Sequence, residues 1–152
     1  MNTNQEEKIN QQIQQTMKKA FYDLIEVNTN SDKPDYDWII KLYSEIKGNL
    51  LYYLKKGSKT YNLIDESFDV ELFGQMIKAD VFSPDSMVKL IKNTFYWIKF
   101  LGAPNRDEET NKAKERVLSS PYDKIIGCYL REVHDCLTTY DEDMKSFLQQ
   151  QS

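Results

Sequence analysis

Between Asp35 and Gly57 the apolar residues Ile39, Leu42, Tyr43, Ile46, Leu50, Tyr53 and Leu54 recur at steps of three and four. That spacing makes one stripe on a helix, whereas a half-buried strand alternates at every second residue. The same period runs through nearly the whole chain, and no stretch shows strand alternation. The expected fold class is therefore all-α: a single domain of five to six helices in an irregular helical bundle. At 152 residues the chain fits one domain. It buries roughly two-thirds of the surface its unfolded form exposes, so folding needs neither a disulfide nor a metal.

The remaining helices follow from their stops and starts. Residues 5–27 carry Ile9, Ile13, Met17, Ala20, Phe21 and Leu24 on one stripe, and the Gln-rich first turns are expected to project from the body. This gives a polar helical extension over residues 1–20 and a domain over 21–150. The stretch 28–34 is a loop by composition. Asp35 caps the second helix and Gly57 closes it. A short segment over 69–79 follows, with Tyr61–Phe68 read as irregular or a separate turn. Ser83-Pro84-Asp85 is a helix start with a hydroxyl cap, proline in the first turn and an early acid. Met87, Val88, Leu90, Ile91, Phe95, Trp97, Ile98 and Leu101 then cover most of a circumference, which predicts a central helix ended by Gly102-Ala103-Pro104. A charged surface helix over 105–118 and a long last helix from Ser120-Pro121 to about Leu148 complete the chain, with a capping-box spacing at Thr139 and Glu142 as a candidate break.

Little in the sequence points to catalysis. Cys128 and Cys136 lie eight residues apart on one helix, about 12 Å along its axis, beyond the reach of about 7 Å that a disulfide allows. They read as thiols of a reducing, cytoplasmic compartment. The single His134 and the two cysteines match no zinc spacing, and no phosphate loop, nucleophile elbow or paired-histidine motif occurs. No cofactor is expected. The acids Asp107-Glu108-Glu109 suit the first turn of a helix. Net charge is −4 with Lys and Arg dispersed, which argues against nucleic acid. Lys89, Lys92 and Lys99, with Lys78 nearby, give the central helix a basic edge. The N-terminal stretch lacks an apolar signal core, and no apolar run approaches a membrane span.

Four segments, in order, carry a resemblance. Lys33-Pro34-Asp35-Tyr36 leads into Ile40–Lys47 and Leu50-Leu51; Asp69-Val70-Glu71-Leu72 runs on to Met76; Ala103-Pro104-Asn105-Arg106-Asp107-Glu108-Glu109 follows; Tyr129-Leu130-Arg131-Glu132-Val133 precedes Asp143-Met144-Lys145-Ser146-Phe147. Together they resemble the N-terminal portion of the T-complex protein 11 (testis-expressed) family domain, with Lys145-Ser146 departing from the family's Ala-Asn. The resemblance implies regulation and not catalysis: the family is associated with cAMP and protein-kinase-A signalling and with sperm function, and has no catalytic residue to carry over. The Asn-, Lys-, Ile- and Tyr-rich usage is that of an AT-rich genome, such as a large DNA virus or a protist. Arg106, just past Pro104, is expected to fork onto a carboxylate and pin the corner between two helices.

The functional expectation is a non-enzymatic protein–protein interaction module whose partner is a kinase-A pathway component or a second copy. The alternative is a viral Bcl-2-like decoy, built round the 87–101 helix, that binds host death or innate-signalling proteins. The last helix carries the expected contact. Tyr122, Ile126, Tyr129, Val133, Cys136 and Tyr140 form one near-heptad seam. Ile125, Leu130 and Leu137 form a second row, expected to face outward and seek a partner. With Arg106, the candidate interaction residues are Tyr122, Ile126, Tyr129, Leu130, Val133, Leu137 and Tyr140.

Overall fold

The structure is a computed structural model that describes residues 3–79 and 83–151. Among the described residues seven α-helices follow one another: α1 (Thr3–Thr29), α2 (Tyr36–Leu51), α3 (Lys59–Ser67), α4 (Val70–Lys78), α5 (Pro84–Leu101), α6 (Asp107–Leu118) and α7 (Ile125–Gln150). Single 3-10 turns at Pro104–Arg106 and Tyr122–Lys124 lead into α6 and α7. Among the described residues there is no strand, and the fold is the all-α bundle expected.

Four helices begin in the same way. The side chains of Asp35, Ser58, Asp69 and Ser83 accept hydrogen bonds from the backbone N–H of Trp38, Tyr61, Leu72 and Ser86. Each cap satisfies a donor that the first helical turn leaves without a partner. The loop between α1 and α2 is closed by Asn28, whose side-chain Oδ1 accepts from the Asp35 N–H at 2.6 Å.

Helix α7 is the spine, packed against α1, α2, α5 and α6. Helix α5, expected at the centre, packs on α6, α7 and α2 and leaves Tyr96 and Phe100 exposed. Three further boundaries differ from expectation. Helix α2 stops at Leu51, and Gly57, with φ at +87°, lies in the turn beyond it. The stretch read as irregular is α3, a nine-residue helix held by the buried Ile64 and by Phe68 at its end. Helix α7 passes Thr139 without a break.

Helix α1 also runs unbroken through residue 20, but its surroundings change there. Residues 3–20 are all exposed, and the first packed side chains are Phe21 and Tyr22, followed by the buried Ile25. At the α1–α7 crossing α1 side chains press on the α7 backbone: a Cβ on Gly127 would stand 2.6 Å from Thr29 Oγ1.

Candidate interaction site on the last helix

Two arginine–carboxylate forks tie α6 and its preceding turn to α7. Arg106 donates through Nε to Asp143 Oδ2 at 3.0 Å and through Nη2 to Asp143 Oδ1 at 3.1 Å. Its Nη1 reaches Glu109 Oε2 at 3.4 Å. Arg116 donates through Nε and Nη2 to the two oxygens of Glu132, at 3.0 and 2.9 Å. Both matches use the planar guanidinium in the two-point geometry that lysine cannot offer. A cleft of about 240 Å³ lies between the forks, lined in part by Ile98, Thr110, Ala113, Cys136, Thr139 and Tyr140.

The groups that could do chemistry are poorly placed for it. Burial pushes the Cys136 thiol up to about 12, with Asp135 adding to the effect, and burial raises Cys128 as well. A thiol in that range stays protonated and is a weak nucleophile. His134 packs against the Phe21 ring at 4.7 Å and the Tyr22 ring at 5.8 Å. Burial and Lys18 hold it below the usual histidine range. Asp135 beside it pairs with Lys18 and accepts from Tyr22. Among the described residues no group of three or more His, Cys, Asp or Glu is arranged to hold a metal ion.

The residues expected to form a contact surface are largely interior. Tyr129, Val133 and Tyr140 are buried in the core, and Ile126 is half-buried. Leu130 and Leu137, expected to face outward, are only 3% and 4% exposed. The reason is α1. Its Phe21, Tyr22, Ile25 and Thr29 meet α7 at Gly127 and His134, which lie on the same helical face as Leu130, while α2 packs on α7 as well. No outward row therefore exists at Leu130 and Leu137. Tyr122 alone of the candidate apolar residues is exposed, with Phe147 and Leu148 at the far end of the helix. The basic edge is placed as expected: Lys89, Lys92 and Lys99 are exposed along α5, and Lys78 reaches Asp37 at 2.7 Å.

The outward apolar surface lies on α1 instead. Ile9, Ile13, Met17, Leu24 and Val27 are exposed, Met17 by 66% and Val27 by 71%. Ile13, Met17, Ala20, Leu24 and Val27 follow steps of four, three, four and three, the spacing of a seam that packs on another helix. This second stripe is separate from the one formed by Phe21, Tyr22 and Ile25, which faces α7. The single stripe expected from Ile9 to Leu24 is therefore two, with Phe21 on the inner one.

Among the described residues no helix is long and apolar enough to cross a membrane. No solved structure matches the chain. The family model for T-complex protein 11 matches residues 1–147, a span that includes the exposed part of α1, both arginine forks and the Asp143–Phe147 segment. That family is not known as enzymatic. With nearly its whole length matched, the chain belongs to the T-complex protein 11 family.

Proposed function

We propose that this chain is a non-enzymatic regulatory interaction module that acts in the cytoplasm on cAMP and protein-kinase-A signalling by binding a partner protein. The observation that carries the binding role is the outer stripe of α1. Apolar side chains at heptad-like steps on an exposed helix are costly to leave in water and fit a second helix laid along them. Residues 1–20 then serve as a docking extension, and 21–150 as the domain that presents it. Family membership supports regulation over catalysis, and the raised thiol values of Cys128 and Cys136 agree with it.

Of the earlier candidates, Tyr122 and Ile126 border a recess with Pro34, Tyr36 and Met87 and can widen the contact. Arg106 serves the fold, since Asp143 takes two of its donors. The Bcl-2-like alternative draws less support, because α2 and α7, and not α5, are the helices packed against the most other helices.

The test uses the full chain with purified regulatory and catalytic subunits of kinase A, in binding titrations alongside light scattering of the chain alone. Binding that Met17→Glu and Leu24→Glu abolish, with the helical signal unchanged, is the expected result. A chain that dimerises through the same residues and ignores both subunits would replace the kinase partner with a second copy. Binding untouched by both substitutions would remove α1 as the docking element.

A further inference from the structure

Away from the α1 stripe, the chain carries a recess with a distinct chemical character. It lies between the end of α2 and α7, has a volume of about 300 Å³, and is lined in part by Tyr52, Tyr53, Leu137, Tyr140, Asp141 and Lys145. Three tyrosine rings follow one another at right angles. Tyr52 and Tyr53 stand 4.9 Å apart with planes at 86°, and Tyr53 and Tyr140 stand 5.9 Å apart at 87°. Tyr52 is exposed and Tyr53 half-buried, whereas Tyr140 is buried and backs them from the core. The face of an aromatic ring is its electronegative part.

The charge in this recess belongs to Asp141. Tyr53 donates to its Oδ1, and Lys145 Nζ lies 2.9 Å from its Oδ2. Both contacts hold the carboxyl below the usual carboxylate range, so it is an anion at neutral pH. Its partner Lys145 is a neighbour on the same exposed helical face, with a side chain two-thirds exposed. The recess thus sets the Tyr52 and Tyr53 rings beside the Asp141 carboxylate, whose cationic partner Lys145 is on a flexible stem.

We propose that this recess binds a methylated ammonium group, the head of a methylated lysine on a partner polypeptide. Its volume is at the lower end of the range of about 300–1,000 Å³ for small-molecule pockets, which suits a side-chain head and not a large ligand. Each Asp141 oxygen already accepts one hydrogen bond, so a two-point guanidinium fork has no vacant edge to meet. A methylated ammonium needs few hydrogen-bond partners or none; it asks for ring faces, apolar contact and a nearby negative charge. The Tyr52 and Tyr53 rings supply the apolar contact, with the buried Leu137 and Tyr140 behind them. A phosphate or carboxylate would face repulsion from Asp141. Lys145 acts as an internal competitor for the same carboxylate.

The test is a two-dimensional NMR titration of the full chain with tetramethylammonium chloride, against sodium chloride at equal ionic strength. Saturable shifts confined to residues around Tyr52, Tyr53, Tyr140 and Asp141 are expected. Tyr52 is 76% exposed, so Tyr52→Ala keeps the fold and should weaken binding about two- to fivefold, the scale of one exposed cation–π contact. Asp141→Asn should weaken it at least as much, and Lys145→Ala should tighten it. Linear shifts equal to those with sodium, or a Lys145→Ala variant that binds more weakly, would overturn the site. A second arm compares a peptide containing trimethyl-lysine with phosphocholine. Tighter binding of the peptide supports the polypeptide source, and tighter binding of phosphocholine overturns it in favour of a lipid headgroup.

Discussion

The joint between α5 and α7 rests on one fully enclosed polar contact. Thr94 and Tyr129 are 0% and 1% exposed, and their hydroxyl oxygens lie 2.7 Å apart. Thr94 Oγ1 also donates to the Leu90 carbonyl at 2.9 Å. A threonine has one hydroxyl proton, so when that proton goes to Leu90 the proton between the side chains comes from Tyr129. The two deletions are then unequal. Tyr129→Phe removes the donor but leaves Thr94 bonded to Leu90, and should cost about 0.5–1.5 kcal/mol. Thr94→Val leaves a buried phenol with no acceptor and should cost about 1–3 kcal/mol. The double variant has neither hydroxyl, so it should be little worse than Tyr129→Phe alone. Urea denaturation measures all four chains: at a slope near 2 kcal/mol per molar, a loss of about 2 kcal/mol moves the midpoint by about 1 M. Two strictly additive substitutions, or a Tyr129→Phe chain less stable than Thr94→Val, would refute this assignment of donor and acceptor.

The α1–α7 crossing gives two further expectations. Alanine at position 127 gains about 1 kcal/mol in helix propensity over glycine, but its Cβ meets Thr29 Oγ1 at 2.6 Å. A net loss of about 1–2 kcal/mol is expected in denaturant titrations, and Thr29→Ala in the same chain should recover most of it. At His134, burial and Lys18 oppose the charged ring more than Asp135 and Glu45 favour it. The unfolded chain therefore takes up this proton first, and His134 contributes stability that is present above about pH 6.5 and lost as pH falls through the lowered folded value. His134→Phe keeps an aromatic ring beside Phe21 and Tyr22, and it should flatten the fall in melting temperature between about pH 7.5 and pH 5. An unchanged slope would place the acid sensitivity elsewhere.

Helix ends were the most legible part of this fold because they depend on a few local residues. Ser83-Pro84 starts α5 and Asp35 caps α2 as their chemistry requires. The helix α3 was hidden because its apolar positions are too few for a stripe; Ile64 and Phe68 hold it through burial against the rest of the chain. The early stop of α2 has a similar cause. Tyr53 looks like a continuation of the stripe, yet its hydroxyl is committed to Asp141 on α7. Both rows of α7 were visible as apolar, but which of them was covered depended on where α1 lay. Spacing within one helix carries no information about the position of another.

The same distinction explains what the family-like segments do. Arg106 and Asp143 lie 37 residues apart, in two separate segments that carry the resemblance, and the fold brings them into one fork. Glu132, in the segment before Asp143, makes the matching fork with Arg116. These charges are spent on each other, so the motif residues set the angle between α6 and α7 and offer little to a partner. A partner must read what those joints hold in place and do not themselves contain. The outer stripe of α1, whose apolar side chains are exposed among the described residues, and the tyrosine recess beside Asp141 are such surfaces. Substitutions at the forks should therefore disturb binding only as far as they disturb the fold, whereas Met17→Glu and Tyr52→Ala should separate the two.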